Sequence, residues 1–273
     1  FLSSAIITVH LENLRHNLKT LLARHPSLMP VIKADAYGHG VVAVARVLAE
    51  EGIQHMAVGS VGEGALLRQE GHTAFLLALM GLARDEDTAL AASYDITPLV
   101  HSRESLERIL AQSHLAGRAK PLTVAIKFDT GMSRLGFLVR EGHFDTGVES
   151  IAAACALPGL EAEGIFTHFA VSDEDDRDSE AYTRAQFDVF TRVLDALAAG
   201  GRTFAIRHCA NSGALARYPE MYLDMVRPGI ALYGVGADAQ RLDLRPVMSL
   251  KSSVSTIKTF DPGTDVSYGR TFR

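Results

Sequence analysis

Two cysteines, Cys155 and Cys209, are all that 273 residues contain, which excludes a disulfide-stapled scaffold and suits a reducing compartment. No tract of ~18 or more apolar residues is present, so the sequence offers no membrane-spanning helix. A basic start followed by an apolar core, the mark of a secretory signal, is also missing. Together these absences predict a soluble, cytoplasmic protein. Basic residues are in the minority, 27 Lys and Arg against 32 Asp and Glu, for a net charge of −5. With no basic stripe interleaved with aromatics, a nucleic-acid surface is excluded. The histidines lack i,i+4 pairing and the cysteines are isolated, so metal ligation is not supported. What remains, 47% hydrophobic and 22% charged, is an ordinary globular composition.

Helical and strand patterns alternate from about residue 10 to residue 235. Leu11, Leu14, Leu18, Leu21 and Leu22 recur at helical spacing and predict a helix over 11–24. A second helix is expected over 179–199, with Phe187, Phe190, Val193, Leu194 and Leu197 on one face and Gly200 as its stop. Strand-length apolar runs stand at 29–32, 55–58, 75–79, 96–100, 122–128, 160–168, 204–209 and 222–226. Eight strands with helical crossovers in ~225 residues match a (β/α)8 TIM-type barrel. A doubly wound sheet is the alternative, but no Gly-x-Gly-x-x-Gly follows any strand.

Beyond residue 236 the pattern changes. The Val/Ser/Thr/Ile stretch over 245–260, the turn Asp261-Pro-Gly-Thr264 and the segment Val266-Ser-Tyr-Gly269 predict two strands joined by a Pro-Gly turn. With the β-type run 5–9 they form the start of a mainly β C-terminal domain. The expected division is therefore a barrel over 10–235 and a β-unit from 1–9 plus 236–273. The first residue, Phe1, is not methionine, and the sequence stops at Arg273 just after a strand begins. Both features predict a fragment of something longer, with the β-domain incomplete.

In a barrel of parallel strands, functional groups gather at the carboxyl ends of the strands. Lys33 follows the first, Lys127 and Asp129 end the fifth, and His168 ends the sixth. His208, Asn211 and Ser212 end the seventh, and Arg227-Pro-Gly-Ile230 ends the eighth. A lysine at the exit of a buried strand is costly to desolvate without a task, and its neutral amine forms Schiff bases with aldehydes. Tyr37, with Gly38 and Gly40 behind it, supplies a phosphate ligand close by. Lysine plus phosphate ligand is the minimum equipment for pyridoxal phosphate (PLP). Each residue has a plainer reading: Lys127 facing the helices, His168 as a core histidine, Ser212 as an N-cap, Arg227 paired with Asp224. The acidic run Asp173-Glu-Asp-Asp-Arg-Asp178 reads as a solvated loop.

Five segments taken together resemble the bacterial alanine racemases. They are Val31-Ile-Lys-Ala-Asp-Ala-Tyr-Gly-His-Gly40, Lys127-Phe-Asp-Thr-Gly-Met-Ser-Arg-Leu-Gly136, Thr167-His168, Asn211-Ser212 and Val226-Arg-Pro-Gly-Ile-Ala-Leu-Tyr-Gly234. Val266-Ser-Tyr-Gly269 matches that family's catalytic-tyrosine segment. The resemblance implies a PLP-dependent isomerase that interconverts L- and D-alanine for peptidoglycan, built as a head-to-tail homodimer. Lys33 would hold PLP and act as one base, and Tyr268 would reach the partner's site as the other. Tyr37, Asn211, Ser212, Gly229 and Ile230 would bind the cofactor, chiefly at its phosphate. His168 would stand beside the ring and hydrogen-bond Tyr268, and Arg227 would meet the pyridine nitrogen. Arg134 would meet the substrate carboxylate, with a carbamylated Lys127 as its partner. A broad-specificity or serine-preferring racemase on the same scaffold, or a non-catalytic PLP-binding barrel, are the other readings. Tyr268 and the β-unit speak against the last.

Overall fold

Strand alternation decides which side chains fill the barrel and which reach its mouth. The computed structural model describes residues 5–111, 121–140 and 142–272; residues 1–4 and Arg273 of the expected β-unit lie outside the described residues. Six strands form one parallel sheet in the order β2 (His55–Val58), β3 (Phe75–Ala78), β4 (Thr97–Val100), β5 (Leu122–Asp129), β7 (Leu160–Phe166) and β8 (Ile206–His208). A two-residue strand β6, Phe137–Leu138, pairs with β5 outside this path. The first and eighth expected strands shrink to single bridges, Val31 with Ala57 and Leu28 with Val226. Pro30 and Pro228 explain the reduction, since neither has an N–H for the ladder. Their carbonyls still accept, from Ala57 and Val31 at 2.9 and 2.8 Å. Asp224 N–H to the Arg207 carbonyl at 3.2 Å joins the last segment to β8, so the ring closes. Closure rules out an open doubly wound sheet.

The interior holds a small apolar layer of Met29, Val31, Ala57, Leu77, Leu99, Ala125, Phe166 and Met225, with Ile206 against it. Every strand position contributes, as a filled barrel requires. The opposite strand faces (Met56, Val58, Leu76, Val124, Ile126, Phe128 and Ile165) pack on the surrounding helices in a second, larger core. Helix Leu11–Leu22 closes on this core with Leu14, Leu18 and Leu21 buried. The long helix runs Arg177–Ala199, two residues earlier than its apolar stripe suggests, because the Asp176 carboxylate caps it by accepting from Ser179 N–H at 2.9 Å. Gly200 is its C-cap, as expected, and Gly201 behind it takes the left-handed conformation at φ +78°.

At the chain ends, β1 (Ala5–Val9) pairs antiparallel with β9 (Met248–Ser252), Ala5 facing Ser252 and Val9 facing Met248. The expected strand over 245–260 is thus confined to five residues, and it pairs with β1 rather than with 266–269. The second expected strand is a single bridge between Val266 and Phe272 around the turn Tyr268–Arg270. Residues 253–260 have β-type composition but no neighbour among the described residues to take their ladder bonds. Leu242, Leu244 and Val247 pack into the larger barrel core.

Candidate active site

One step further along each strand, at i+2 from the interior layer, the same face carries a different set of side chains. Val31 is followed by Lys33, Ala57 by Gly59, Leu77 by Leu79, Leu99 by His101, Ala125 by Lys127, Phe166 by His168, and Met225 by Arg227. All seven line one cavity of about 780 Å³ at the carboxyl mouth of the barrel, with Tyr37, Arg134, Asn211, Ser212, Gly229 and Ile230. Lys127 therefore points inward, and its reading as a helix-facing residue fails. The apolar layer beneath forms a floor, and four cations (Lys33, Lys127, Arg134 and Arg227) surround the space above it.

Lys33 opens an unusual turn, Lys33–Gly38, in which Ala34, Asp35, Ala36 and Tyr37 all have φ between +53° and +55°. A left-handed turn of non-glycine residues costs roughly 1–2 kcal/mol per residue. Local bonds offset this. Glu63 accepts from Ala34 N–H at 3.1 Å and from Gly59 N–H at 2.7 Å, while Asp35 accepts from Val41 N–H at 2.7 Å. The turn brings the Lys33 ammonium 5.8 Å from the centroid of the Tyr37 ring, so both face the cavity. Burial raises the Tyr37 pKa, which keeps its phenol a hydrogen-bond donor.

Across the cavity, Ser212 Oγ accepts from Gly229 N–H at 2.9 Å and Ala231 N–H at 3.3 Å. A methyl group on Gly229 would lie 2.8 Å from the Tyr37 hydroxyl, so only glycine lets that hydroxyl approach the backbone. Two hydroxyls and the N–H groups that open the turn Ile230–Tyr233 thus converge on one spot. The N-cap of helix Ser212–Arg217 is Asn211, whose Oδ1 accepts from Ala214 N–H at 3.0 Å and from the Ser172 hydroxyl at 2.6 Å. Ser212 is not the cap, which leaves its hydroxyl to the cradle. Six residues give that helix little dipole, so the hydroxyls and amides set the polarity of this part of the cavity.

Arg227 is buried at the far side. It donates to the Thr167 carbonyl at 2.7 Å and to the Cys209 carbonyl at 3.3 Å. Its other contacts are Nδ1 of His208 and, at 3.3 Å, Nδ1 of His168. Asp224 is not its partner; that carboxylate grips Arg207 at 2.8 and 3.0 Å. Burial lowers the Arg227 pKa to about 10, so it stays charged near neutrality. Burial, and then Arg227, hold both His168 and His208 well below the usual imidazole range. Both rings are neutral, and a guanidinium only donates, so each Nδ1 is the acceptor and each Nε2 carries the proton.

Lys127 donates to the Leu135 carbonyl at 2.6 Å, and burial, then Arg134 and Arg227, push its pKa down to about 8. Asp129 holds the following loop by accepting from Gly131 and Ser133 N–H at 2.9 and 3.0 Å. Arg134, on that loop, is exposed and makes no hydrogen bond or ion pair among the described residues. Tyr268 is fully exposed and does not line the cavity of its own chain.

The sequence reading missed Glu63 and His101. Ser60-Val-Gly-Glu63 has the Ser-x-x-Glu form of a capping box, and Ser60 Oγ does accept from Glu63 N–H at 3.3 Å. The i+2 rule reaches His101 from Leu99. The acidic run is exposed, as expected, and it also makes contacts that the sequence did not suggest: Asp176 is a helix cap, and the Asp175 carboxylate and Glu174 carbonyl accept from Arg217 at 2.7 and 2.6 Å.

A closed parallel barrel with Lys33 and three further cations around one cavity at its carboxyl mouth has the layout of a barrel enzyme. Residues 9–237 match the family described as "Alanine racemase, N-terminal domain". The alanine racemase of Desulforamulus reducens is 42% identical over 271 residues, covering 97% of this chain and 70% of that protein. That of Lawsonia intracellularis is 42% identical over 278 residues, covering 99% and 70%. The solved alanine racemase of Clostridium difficile 630 in complex with cycloserine superposes with a TM-score of 0.84 at 36% identity, over 95% of this chain and 70% of that one. The chain belongs to the alanine racemase family.

Proposed function

We infer that this chain interconverts L- and D-alanine with PLP as cofactor, supplying D-alanine for peptidoglycan in the cytoplasm. The observation that carries the reading is the shared cavity: the Lys33 amine, the Ser212–Gly229–Tyr37 cradle and the Arg227 cation enclose one ligand-sized space. These residues fit PLP, with Lys33 for its aldehyde, Ser212, Tyr37, Gly229 and Ile230 for its phosphate, and Arg227 for its ring nitrogen. Asn211 shapes the phosphate end through its cap. When bound, PLP supplies the electron sink that makes an amino acid's α-proton removable.

The protein's part is to hold the substrate and place two bases on opposite faces of Cα. Lys33 exchanges a proton on one face, and the partner subunit's Tyr268 exchanges one on the other. Such a site needs a homodimer; the exposure of Tyr268 outside its own cavity favours this. His168, with its Nε2 proton directed away from Arg227, is a hydrogen-bond donor for that tyrosine's phenolate. Arg134, unpaired at the mouth, takes the substrate carboxylate. We assign residues 10–235 to the barrel and the chain ends to the β-unit carrying Tyr268. The test is turnover of L- and D-alanine, serine and lysine, followed by circular dichroism with cofactor absorbance recorded. Robust alanine racemisation with weak serine turnover is expected; preferential serine turnover would favour the serine-preferring reading, and no turnover would overturn both.

A guanidinium at about 10 keeps its proton and does not pass it to a ring nitrogen. A ring nitrogen facing this guanidinium rather than a carboxylate would make the bound cofactor a weaker electron sink, so Arg227 would favour return of the proton at Cα. Arg227→Glu is expected to lower racemisation and add absorbance at longer wavelength than the parent's. An unchanged spectrum in a cofactor-loaded variant counts against this account.

Lys127 carries a second prediction. At pH 7 a lysine at about 8 is neutral in roughly one molecule in ten, against about one in 3,000 for an ordinary lysine at 10.5. Only the neutral amine adds carbon dioxide, and the resulting carbamate would give Arg134 an anionic partner. Labelled bicarbonate should produce a carbamate carbon resonance that disappears in Lys127→Gln. Without carbon dioxide, the unfolded chain binds this proton more tightly than the folded one between pH 8 and 10.5. The burial penalty is thus fully present below about 8 and relieved as pH rises towards 10.5. Lys127→Met should therefore stabilise the fold near pH 7 by on the order of 1–3 kcal/mol, with the gain shrinking above pH 8. Denaturant melts of both proteins across this range check it.

A further inference from the structure

We propose that Arg217 is a positioning residue that holds the Ser212–Gly229 cradle in shape for a phosphate group. The proposal rests on the reading above that the cofactor phosphate sits there. Arg217 ends the helix that Ser212 begins, and its side chain is only 7% exposed. Its Nε meets both carboxylate oxygens of Asp238 at 3.0 Å, and Asp238 is itself 8% exposed. Nη1 donates to the Glu174 carbonyl at 2.6 Å and to the Asp175 carboxylate at 2.7 Å. Arg241 adds looser contacts at 3.5 Å to the same two carboxylates.

These bonds tie together three segments that share no hydrogen-bonded ladder. One is the loop after β7, which follows His168 and brings Asp173 to the cavity wall. The second is the Ser212 helix. The third runs on from Gly229 and Ile230 to Asp238. A helix of six residues has no stability of its own, so the place of the Ser212 hydroxyl depends on anchors at both ends. At its start, Ser172 holds Asn211, and Gly213 lies so close to the loop that an added Cβ would meet the Ser172 carbonyl carbon and oxygen at 2.8 Å. At its end the only charged anchor among the described residues is Arg217. Loosening that end would let Ser212 move relative to the Gly229 and Ala231 amides, the geometry a phosphate reads.

The test compares PLP with pyridoxal, which lacks the phosphate, in absorbance titrations of the whole chain freed of cofactor. A side chain that only stabilises the fold would weaken both aldehydes by one factor; a cradle anchor lowers the preference for PLP. Removing one member of a buried ion pair leaves the other uncompensated, whereas replacing both by apolar residues is tolerated. The main variant is therefore Arg217→Met combined with Asp238→Leu, and Arg217→Lys is the second, since it keeps the charge but not the forked geometry. Ser212→Ala reports on the cradle itself. We expect the preference for PLP over pyridoxal to fall about tenfold or more in Ser212→Ala and in the double variant, and by a smaller factor in Arg217→Lys, corresponding to roughly 1.4 kcal/mol per tenfold. Loss of preference in Ser212→Ala with parental preference in both Arg217 variants overturns the proposal. Parental preference in Ser212→Ala instead overturns the phosphate assignment on which it rests. If the double variant does not fold, Arg217→Lys decides alone.

Discussion

Replacing Lys33 by alanine is expected to lower alanine racemisation by ~10⁴-fold or more while changing stability by no more than about 0.5 kcal/mol. The two halves of this expectation come from different observations. The Lys33 ammonium has no hydrogen bond or ion pair among the described residues, so its removal leaves no orphaned partner. It also lies before the left-handed residues Ala34 to Tyr37, whose geometry is held by Glu63 and Asp35 rather than by the lysine side chain. The fold therefore does not need the amine. The proposed chemistry does, with Lys33 as the attachment point of the cofactor and as a base. Lys33→Arg separates amine chemistry from charge, since a guanidinium keeps the positive field over His168 but neither loses its proton nor condenses with an aldehyde. Loss of rate in both variants, with parental melting curves, is the expected outcome. Substantial racemisation by Lys33→Arg would mean that the cavity needs only a cation there.

The barrel and its mouth were readable because both follow from a period of two. An interior layer of Val31, Ala125, Phe166 and Met225 obliges Lys33, Lys127, His168 and Arg227 to share the next layer, and the strand-end rule selects these residues from sequence alone. His101 obeys the same rule, yet a single polar residue after Thr97-Pro-Leu-Val100 carries no motif around it to draw attention. Other features depend on tertiary contacts that local sequence does not encode. Four consecutive left-handed residues at 34–37 contain no glycine, and their conformation is held by a carboxylate from Glu63, twenty-nine positions away. Pro30 and Pro228 were visible, but how far they would shorten the ladder depended on which N–H groups faced which neighbour. The acidic run is solvated as expected, but its contacts were hidden for the same reason. Composition predicts solvation, and only the fold reveals that buried Arg217 faces Glu174 and Asp175.

The second large effect concerns the other base. Tyr268→Phe alone is expected to lower racemisation by ~10²-fold or more, the usual scale for a general acid–base group. The single variant cannot say which chain's site the phenol serves, and mixing can. Suppose each site takes Lys33 from one chain and Tyr268 from its partner. A heterodimer of Lys33→Ala with Tyr268→Phe then has one site with both residues intact and one with neither. Random exchange makes half the dimers mixed, so a mixture of two nearly inactive proteins should recover roughly a quarter of the parental activity. If instead Tyr268 folds back onto its own chain's cavity, every site in the mixture lacks one base and nothing is recovered. The geometry favours the first outcome, because Tyr268 is fully exposed, on a turn held by the Val266–Phe272 bridge, and absent from the cavity wall of its own chain.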